Sequence, residues 1–154
     1  MRFAIIGALL LLPVFLTAQT PRPHIKRTNP PTVSKRTGYT HVVETVGAVK
    51  TVFISGQIAF DGNGNVVGAG DMKAQAEQVF KNLQAALAAA GAKFSDVVKM
   101  NSYITDMSKV QAVRDVRAQY FKDATPASTF VEVKGLVRPE LLLEIEVIAV
   151  VAAR

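Results

Sequence analysis

Residues 71–105, DMKAQAEQVFKNLQAALAAAGAKFSDVVKMNSYIT, predict a long amphipathic helix followed by a short strand. Apolar side chains recur every three or four residues over 71–90, which places them on one helical face. Asp71 is the predicted N-cap and Gly91 the predicted C-terminal stop. Residues 97–105 (VVKMNSYIT) then predict a strand. The apolar positions of the helix are Met72, Ala76, Val79, Phe80, Leu83, Ala86, Leu87 and Ala90.

A second helix and two further strands are predicted downstream. The helix begins near Asp106 or Ser108 and ends before Pro126. The segments STFVEV (128–133) and LLLEIEVIAV (141–150) predict the last two strands, since both are rich in β-branched and apolar residues. The predicted inner face of the helix is Val110, Val113, Val116, Tyr120 and Phe121.

Upstream of the first helix, residues 41–48 (HVVETVGA) and 50–57 (KTVFISGQ) predict two antiparallel strands joined around Val49. A turn at 61–65 (DGNGN) separates two more extended pieces. The order ββ, α, β, α, ββ predicts a two-layer α+β fold, in which two helices cover one face of a mixed six-stranded sheet.

The last strand also predicts an oligomer. Even the strand face that carries Glu144 and Glu146 is largely apolar, because Leu142, Ile148 and Val150 share it. The helices cover only one face of the sheet, so contact with other copies is the natural way to cover the second.

The N-terminus has the pattern of a secretory signal peptide over residues 1–18. Arg2 precedes residues 3–16, which contain no polar side chain. This run is shorter than the roughly 20 residues that a membrane-spanning helix needs. Thr17 and Ala18 supply small side chains for cleavage after Ala18, which predicts a periplasmic or secreted protein with no membrane segment after cleavage. An uncleaved N-terminal anchor is the alternative.

Residues 19–32 (QTPRPHIKRTNPPT) predict a flexible, proline-rich basic tether ahead of a single domain at 33–154. Loss of Arg2 with the leader lowers the formal net charge from +6 to +5. We interpret the tail as a solubilising leader rather than a nucleic-acid arm, because the remaining charges of the chain balance. The excess lies in Arg22, Lys26, Arg27, Lys35 and Arg36.

The sequence does not favour a metal site. The chain has no cysteine, and His24 and His41 are its only histidines, which argues against zinc. The DGNGN segment begins like a calcium-binding EF-hand loop, but Val66 and Met72 stand where that loop needs glycine and glutamate. A hairpin turn is therefore predicted there.

Ser55 and the two glutamates are the candidates for chemistry. The predicted hairpin brings His41 near Ser55, but no carboxylate is available to orient the imidazole, so a ligand-binding role for Ser55 is favoured over a nucleophilic one. Glu144 and Glu146 lie among aliphatic side chains, where a carboxylate either serves as a general acid or base or pairs with a lysine or arginine at a subunit contact. The residues leave both readings of the glutamates open.

Four segments together resemble the RidA (YjgF) family of reactive-intermediate deaminases. They are SGQIAFDGNGNVVG (55–68), LAAAGAKFSDVVKMNSYITDM (87–107), and PASTFVEV (126–133) with LLLEIEVIAV (141–150). The resemblance implies a chorismate mutase-like fold, assembled as a homotrimeric barrel with small-molecule sites between subunits. It also implies hydrolysis of enamines and imines, such as 2-iminopropanoate and 2-iminobutanoate, to 2-keto acids and ammonia without a cofactor.

The resemblance further implies which residues form the site. Tyr39, Ser55, Gly56 and Phe130 match ligand-lining positions. Glu144 matches the glutamate that holds the attacking water in the family, and is thus the implied catalytic residue.

Two positions depart from the family pattern. Ser128 stands where the deaminases carry an arginine that binds the substrate carboxylate, and serine lacks the planar guanidinium fork. Arg114 stands at a usual asparagine, where it either restores positive charge to the cleft or is an ordinary solvated residue. Arg138 is a more distant candidate.

These departures shape the expected function. We expect an exported protein that binds a small carboxylate or imine metabolite and has weak or altered deaminase chemistry. A true 2-iminobutanoate/2-iminopropanoate deaminase is the first alternative, and an RNA-acting or interaction protein is the second.

Overall fold

The computed structural model describes residues 24–35, 38–122 and 124–153. Six strands occur in this part of the chain: His24–Thr28 (β1), Val42–Val46 (β2), Val49–Gln57 (β3), Val97–Ile104 (β4), Ala127–Glu132 (β5) and Leu143–Ala152 (β6). The two α-helices are Met72–Ala89 (α1) and Val110–Phe121 (α2). Short 3-10 turns, Phe94–Asp96 and Met107–Lys109, precede β4 and α2.

Helix α1 begins and ends where the sequence predicts. The Asp71 carboxylate accepts hydrogen bonds from the backbone N–H groups of Lys73 (2.9 Å) and Ala74 (3.1 Å). Gly91 adopts φ +73°, a left-handed conformation that glycine takes without strain and that ends the helix. The buried face contains the predicted apolar residues, with Ala86 and Ala90 only partly covered, and one residue that was not predicted, Gln75.

Helix α2 also matches its prediction closely. Asp106 caps the turn that leads into it by accepting a hydrogen bond from Ser108 N–H at 3.0 Å. Val113, Val116 and Phe121 are buried as expected, whereas Val110 and Tyr120 are half-buried. Arg117 is buried as well, which the apolar pattern did not predict.

Four strands form one mixed sheet in the order β3-β6-β4-β5. β4 and β5 are parallel and are joined by a crossover through α2, while β6 runs antiparallel to both β3 and β4. Leu143, Ile145 and Val147 of β6 belong to a single buried core together with the inner faces of both helices. The predicted two-layer α+β architecture is thus confirmed.

The predicted hairpin between residues 41–48 and 50–57 is wrong. β2 pairs with β1 in a separate two-stranded sheet, so the six strands are divided between two sheets instead of forming one. β3 instead pairs with β6 from Val49 opposite Ala152 to Gln57 opposite Ile145. β6 is longer and more apolar than the exposed β2, so pairing with β6 buries more of the apolar surface of β3. The free energy gained by this burial outweighs the closeness of β2 and β3 in the sequence.

Residues 24–28 lie within the predicted flexible tether but form β1, so the tether prediction is wrong for them. Lys26 Nζ lies 3.0 Å from Glu44 Oε2 across the strand pair. The Arg27 guanidinium donates hydrogen bonds to the carbonyl oxygens of Thr125 (3.2 Å), Ser95 (3.0 Å) and Val97 (3.4 Å). Backbone pairing and these hydrogen bonds fasten a segment that has no apolar face of its own.

The predicted signal peptide and its cleavage site lie outside the described residues. Within the described ranges, no helix is long and apolar enough to cross a membrane.

We expect Arg27→Ala to lower the free energy of unfolding by about 1–3 kcal/mol, because hydrogen bonds from a charged donor contribute about this much. Burial lowers the pKa of Arg27, in keeping with a guanidinium that is partly withdrawn from water. Urea unfolding followed by circular dichroism measures the change. The matched control is Lys26→Ala, which breaks an exposed ion pair and should cost less than about 1 kcal/mol. Equal losses in the two variants would contradict the anchoring role of Arg27.

Candidate functional site

A cleft of about 350 Å³ opens beside β5. We call it the cationic cleft, because three of its lining side chains are basic and none is acidic. Its volume suits a small metabolite. The lining residues are Lys35, Tyr39, Arg114, Arg117, Ser128 and Phe130.

Tyr39 lies in the cleft because its neighbour Thr40 is hydrogen-bonded to the residues just before β5. Thr40 N–H donates to the Pro126 carbonyl oxygen at 3.0 Å. The buried Thr40 hydroxyl donates to the Thr125 carbonyl oxygen at 2.8 Å. These contacts hold Tyr39 close to Ser128, two residues beyond Pro126.

Ser128 and Phe130 lie on the helix side of the sheet. They pair with Met100 and Ser102 of β4, both buried, and directly paired residues share a face. Thr129 points to the other side, where its hydroxyl accepts a hydrogen bond from Lys99 Nζ at 2.8 Å. This alternation places Ser128 beneath α2 and within reach of Arg117.

Arg117 is the buried cation of the cleft, with only 8% of its surface exposed. Its Nη1 lies 3.5 Å from Ser128 Oγ, a long hydrogen bond, and its guanidinium carbon lies 5.6 Å from the centroid of the Phe121 ring. Nε and Nη2 have no hydrogen-bond partner in the described part of the chain. An unpaired buried cation is costly, so this guanidinium is suited to receive an anion.

The charge of Arg117 persists at neutral pH. Burial, and to a lesser degree the nearby charge of Arg114, lowers its pKa to about 10. At pH 7 the guanidinium is therefore still protonated, and it presents a full positive charge to the cleft.

Arg114 was predicted as a candidate site residue from the sequence, whereas Arg117 was not. Arg114 does line the cleft, but it is exposed. Arg117 lies four residues after Val113 and four before Phe121, so it falls in the middle of the predicted inner face. A charged residue at that spacing was the signal that could have identified it.

Ser55, Gly56 and Glu144 lie elsewhere. Glu144 pairs with Tyr103 of β4 and alternates with the buried Leu143 and Ile145, so it points away from the helices. A Cβ on Gly56 would overlap the Glu144 side chain, which shows that the carboxylate packs against bare backbone. Within one chain, the structure does not bring Glu144 together with Tyr39 or Ser128.

The same open face of the sheet carries Glu146 in a polar cluster. Its Oε1 accepts hydrogen bonds from Asn101 Nδ2 (2.7 Å) and from the Tyr103 hydroxyl (3.1 Å). The bond to Glu146 raises the pKa of Tyr103, so the phenol stays protonated and donating. Ser55 and Glu146 both line a hollow of about 300 Å³ on this face. Among the residues described, neither Glu144 nor Glu146 forms an ion pair.

Two motifs that the sequence analysis discounted have structural roles. Asp61 Oδ1 accepts hydrogen bonds from the N–H groups of Asn63 and Asn65, both at 2.9 Å, which close the predicted turn and lower the pKa of Asp61. His41 Nε2 lies 2.9 Å from the Ser34 carbonyl oxygen, and β2, which begins one residue after His41, does not pair with β3, which carries Ser55. No group of three potential metal ligands occurs in the ranges that the structure covers.

Comparison with known proteins finds one matching family model and several relatives of similar length. The family model described as Endoribonuclease L-PSP matches residues 31–151. A RutC family protein of Pyrococcus horikoshii is 39% identical over 106 residues, or 69% of this chain and 83% of that protein. A 2-iminobutanoate/2-iminopropanoate deaminase of Dermatophagoides farinae is 36% identical over 108 residues, or 70% of this chain and 84% of that protein.

The solved structures agree with these relatives. A protein of unknown function from the conserved Rid family of Yersinia pestis superimposes with a TM-score of 0.73 at 37% identity, over 81% of this chain and 97% of that one. A family model that spans most of the chain, relatives well above 30% identity and a shared fold all point to one assignment. The chain belongs to the RidA (YjgF) family.

Proposed function

We propose that this protein binds a small carboxylate metabolite in the cationic cleft. The observation that carries the proposal is the charge of the cleft lining. Three of the described lining residues, Lys35, Arg114 and Arg117, are basic, and none of the described lining residues is acidic. Tyr39 and Ser128 add hydroxyl groups, and Phe130 adds an aromatic wall. Such a lining favours an anion with a small apolar body.

We propose that a homotrimer completes the site. Ser128 and Glu144 lie on opposite faces of one sheet, so a ligand that touches both needs Glu144 from another copy. The open face also supports assembly, because Phe53 is 77% exposed there and lies opposite Ile148. The resemblance to the RidA family implies the same arrangement.

Imine hydrolysis is weak or altered in this proposal. Ser128 stands where the resemblance implies an arginine, and the guanidinium of Arg117 enters the cleft from α2 instead of from β5. A substrate carboxylate held from α2 has a different position, and misplacement of the reacting atoms by about 1 Å can cost about 100-fold in rate.

A full imine deaminase is the second candidate. Glu144 packs against Gly56, as expected of a carboxylate that holds a water in a fixed place, and the Dermatophagoides farinae relative carries the deaminase name. An RNA-acting role is less favoured, because Lys26 is paired with Glu44 and Arg27 with backbone carbonyl oxygens.

An imine assay separates the two candidates. 2-Iminopropanoate is generated enzymatically, and the release of keto acid and ammonia is followed with and without the purified protein. We expect no acceleration that depends on Glu144. Acceleration that disappears in Glu144→Ala and in Gly56→Ala would establish the deaminase instead.

Gly62→Ala is the matched control, because a Cβ at Gly62 meets no atom within 4 Å. It should behave like the unmodified protein. If Ser128→Arg gains activity, the missing arginine is the cause of the weak chemistry.

We also propose that the protein acts in the periplasm or outside the cell. The pattern of residues 1–18 supports export. Export fits the altered chemistry, because the imine substrates implied by the resemblance are short-lived cytoplasmic products that would hydrolyse before they met an exported protein.

A further inference from the structure

Arg117 brings one guanidinium nitrogen, Nη1, to the buried end of the cleft. Nη1 is directed to Ser128 Oγ, while Nε and Nη2 are buried without a partner in the described chain. Nε and Nη2 have almost no accessible surface, so an anion in the cleft meets Nη1 and the Ser128 hydroxyl rather than these two nitrogens. One anionic group held by Nη1 and Ser128 Oγ therefore balances the Arg117 charge at the buried end of the cleft.

A single carboxylate leaves two further cations without a counter-charge. Arg114 lies one helical turn before Arg117 on α2, and its charge is close enough to act on the Arg117 guanidinium. Lys35 lines the same cleft, and both Lys35 and Arg114 are exposed at its mouth. Positive charges that line one small cleft repel each other, and a second anionic group in the cleft would relieve the repulsion.

We propose that the ligand of the cationic cleft carries two anionic groups. Arg117 and Ser128 hold the first group at the buried end, and Arg114 and Lys35 hold the second at the mouth. This inference rests on the proposed carboxylate-binding function and adds the charge class of the ligand. Dicarboxylates and phosphorylated carboxylic acids share the required chemistry.

Isothermal titration calorimetry at fixed low salt tests the charge class with three probes: butanoate, succinate and phosphoglycolate. Succinate has the same four-carbon length as butanoate and one more carboxylate, and phosphoglycolate replaces one carboxylate by a phosphate. We expect at least one of the two probes with two anionic groups, which we call dianions for brevity, to bind at least about tenfold more tightly than butanoate, because one added charge-assisted hydrogen bond contributes about this much.

Two outcomes separate this inference from the function on which it rests. If butanoate binds as tightly as both dianions, the dianion inference fails and carboxylate binding stands. If none of the three probes binds, the proposed function fails as well.

Variants assign the two anionic groups to their residues. Arg114→Gln should reduce dianion affinity to within about threefold of butanoate, whereas Arg117→Met should abolish binding of all three probes. Arg117→Lys keeps the charge but not the planar guanidinium that lies beside Ser128, and should bind at least about tenfold more weakly than the unmodified protein. Arg138→Gln is the matched control for net charge, since Arg138 stacks on Phe60 at 4.8 Å outside the cleft. Loss of dianion binding in Arg138→Gln would overturn the assignment.

Thermal unfolding of the ligand-free protein gives an independent readout. Arg117→Met removes a buried, unpaired charge, so its melting temperature should rise above that of the unmodified protein while ligand binding is lost. A lower melting temperature, or a change of oligomeric state by size-exclusion chromatography, would show that Arg117 has a structural partner and would overturn the inference.

Discussion

Phe80→Ala is expected to lower the free energy of unfolding by about 3–5 kcal/mol, the usual cost of truncating a fully buried phenylalanine. Phe80 is 0% exposed on the inner face of α1. Its ring stacks on Tyr120 at 5.0 Å between centroids, and it lies 6.0 Å from Phe94 and 6.4 Å from Phe121. Removing the ring leaves a cavity at the centre of this aromatic cluster, and close-packed neighbours fill such a cavity only in part.

The cavity should also weaken the site, because Arg117 lies over Phe121 and depends on the position of α2. Denaturant unfolding measures the stability loss, and calorimetry measures the accompanying loss of anion binding. Phe80→Leu retains most of the volume but no ring stacking, so it should cost less than Phe80→Ala. A loss below about 1 kcal/mol in Phe80→Ala would show that the cluster is not part of the core.

Gln75→Leu is expected to cost about 3 kcal/mol or more, although it replaces a polar residue by an apolar one of similar size. Gln75 is 0% exposed and bonds three backbone groups. Its Nε2 donates to the carbonyl oxygens of Gly68 (3.2 Å) and Glu140 (2.7 Å), and its Oε1 accepts from Leu142 N–H at 2.8 Å. Leucine leaves the Glu140 carbonyl oxygen and the Leu142 N–H unpaired, and each such group costs about 1–3 kcal/mol, whereas the Gly68 carbonyl oxygen keeps its hydrogen bond from Asp71 N–H at 2.9 Å.

These contacts also position the start of β6, two residues before Glu144, so Gln75→Leu should disturb that carboxylate as well. Gln78→Leu is the matched control. Gln78 Nε2 donates to the Phe60 carbonyl oxygen at 3.1 Å, but Asn82 Nδ2 donates to the same oxygen at 2.9 Å and can satisfy it alone. A loss in Gln78→Leu equal to that in Gln75→Leu would contradict the bridging role of Gln75.

The elements with strong local signals were predictable from the sequence. Helix α1 carries its own cap at Asp71 and its own stop at Gly91, and its apolar spacing is regular. β4 and β6 are recognisable because both alternate along their length, and β6 alternates between core residues and residues of the open face. The family was predictable as well, because each of the segments that resemble it is an unbroken stretch of sequence.

Strand partners were not predictable from local signals. β2 and β3 are separated by two residues and look like a hairpin, yet each pairs with a strand elsewhere in the chain. β1 has almost no apolar content, and it is ordered through backbone pairing and the Arg27 hydrogen bonds to carbonyl oxygens far away in sequence. The free energy of these pairings depends on what each strand buries, which is a property of the folded molecule.

The candidate site was likewise predictable from the sequence only in part. The resemblance identified Tyr39, Arg114, Ser128 and Phe130, which the fold brings into one cleft. It also grouped them with Ser55, Gly56 and Glu144, which the pleat of the sheet places on the opposite face.

By itself, the sequence determined the family, the α+β architecture and the absence of an arginine at position 128, because those depend on residue identity and local periodicity. Only the tertiary structure decided which strands pair, which face of the sheet each candidate occupies, and that Arg117 is buried beside Ser128 with two of its nitrogens unpaired. The physical reason is that burial is a collective property. Whether a charged side chain is solvated or held without a partner in a cleft depends on the elements that pack around it, and not on its own place in the chain.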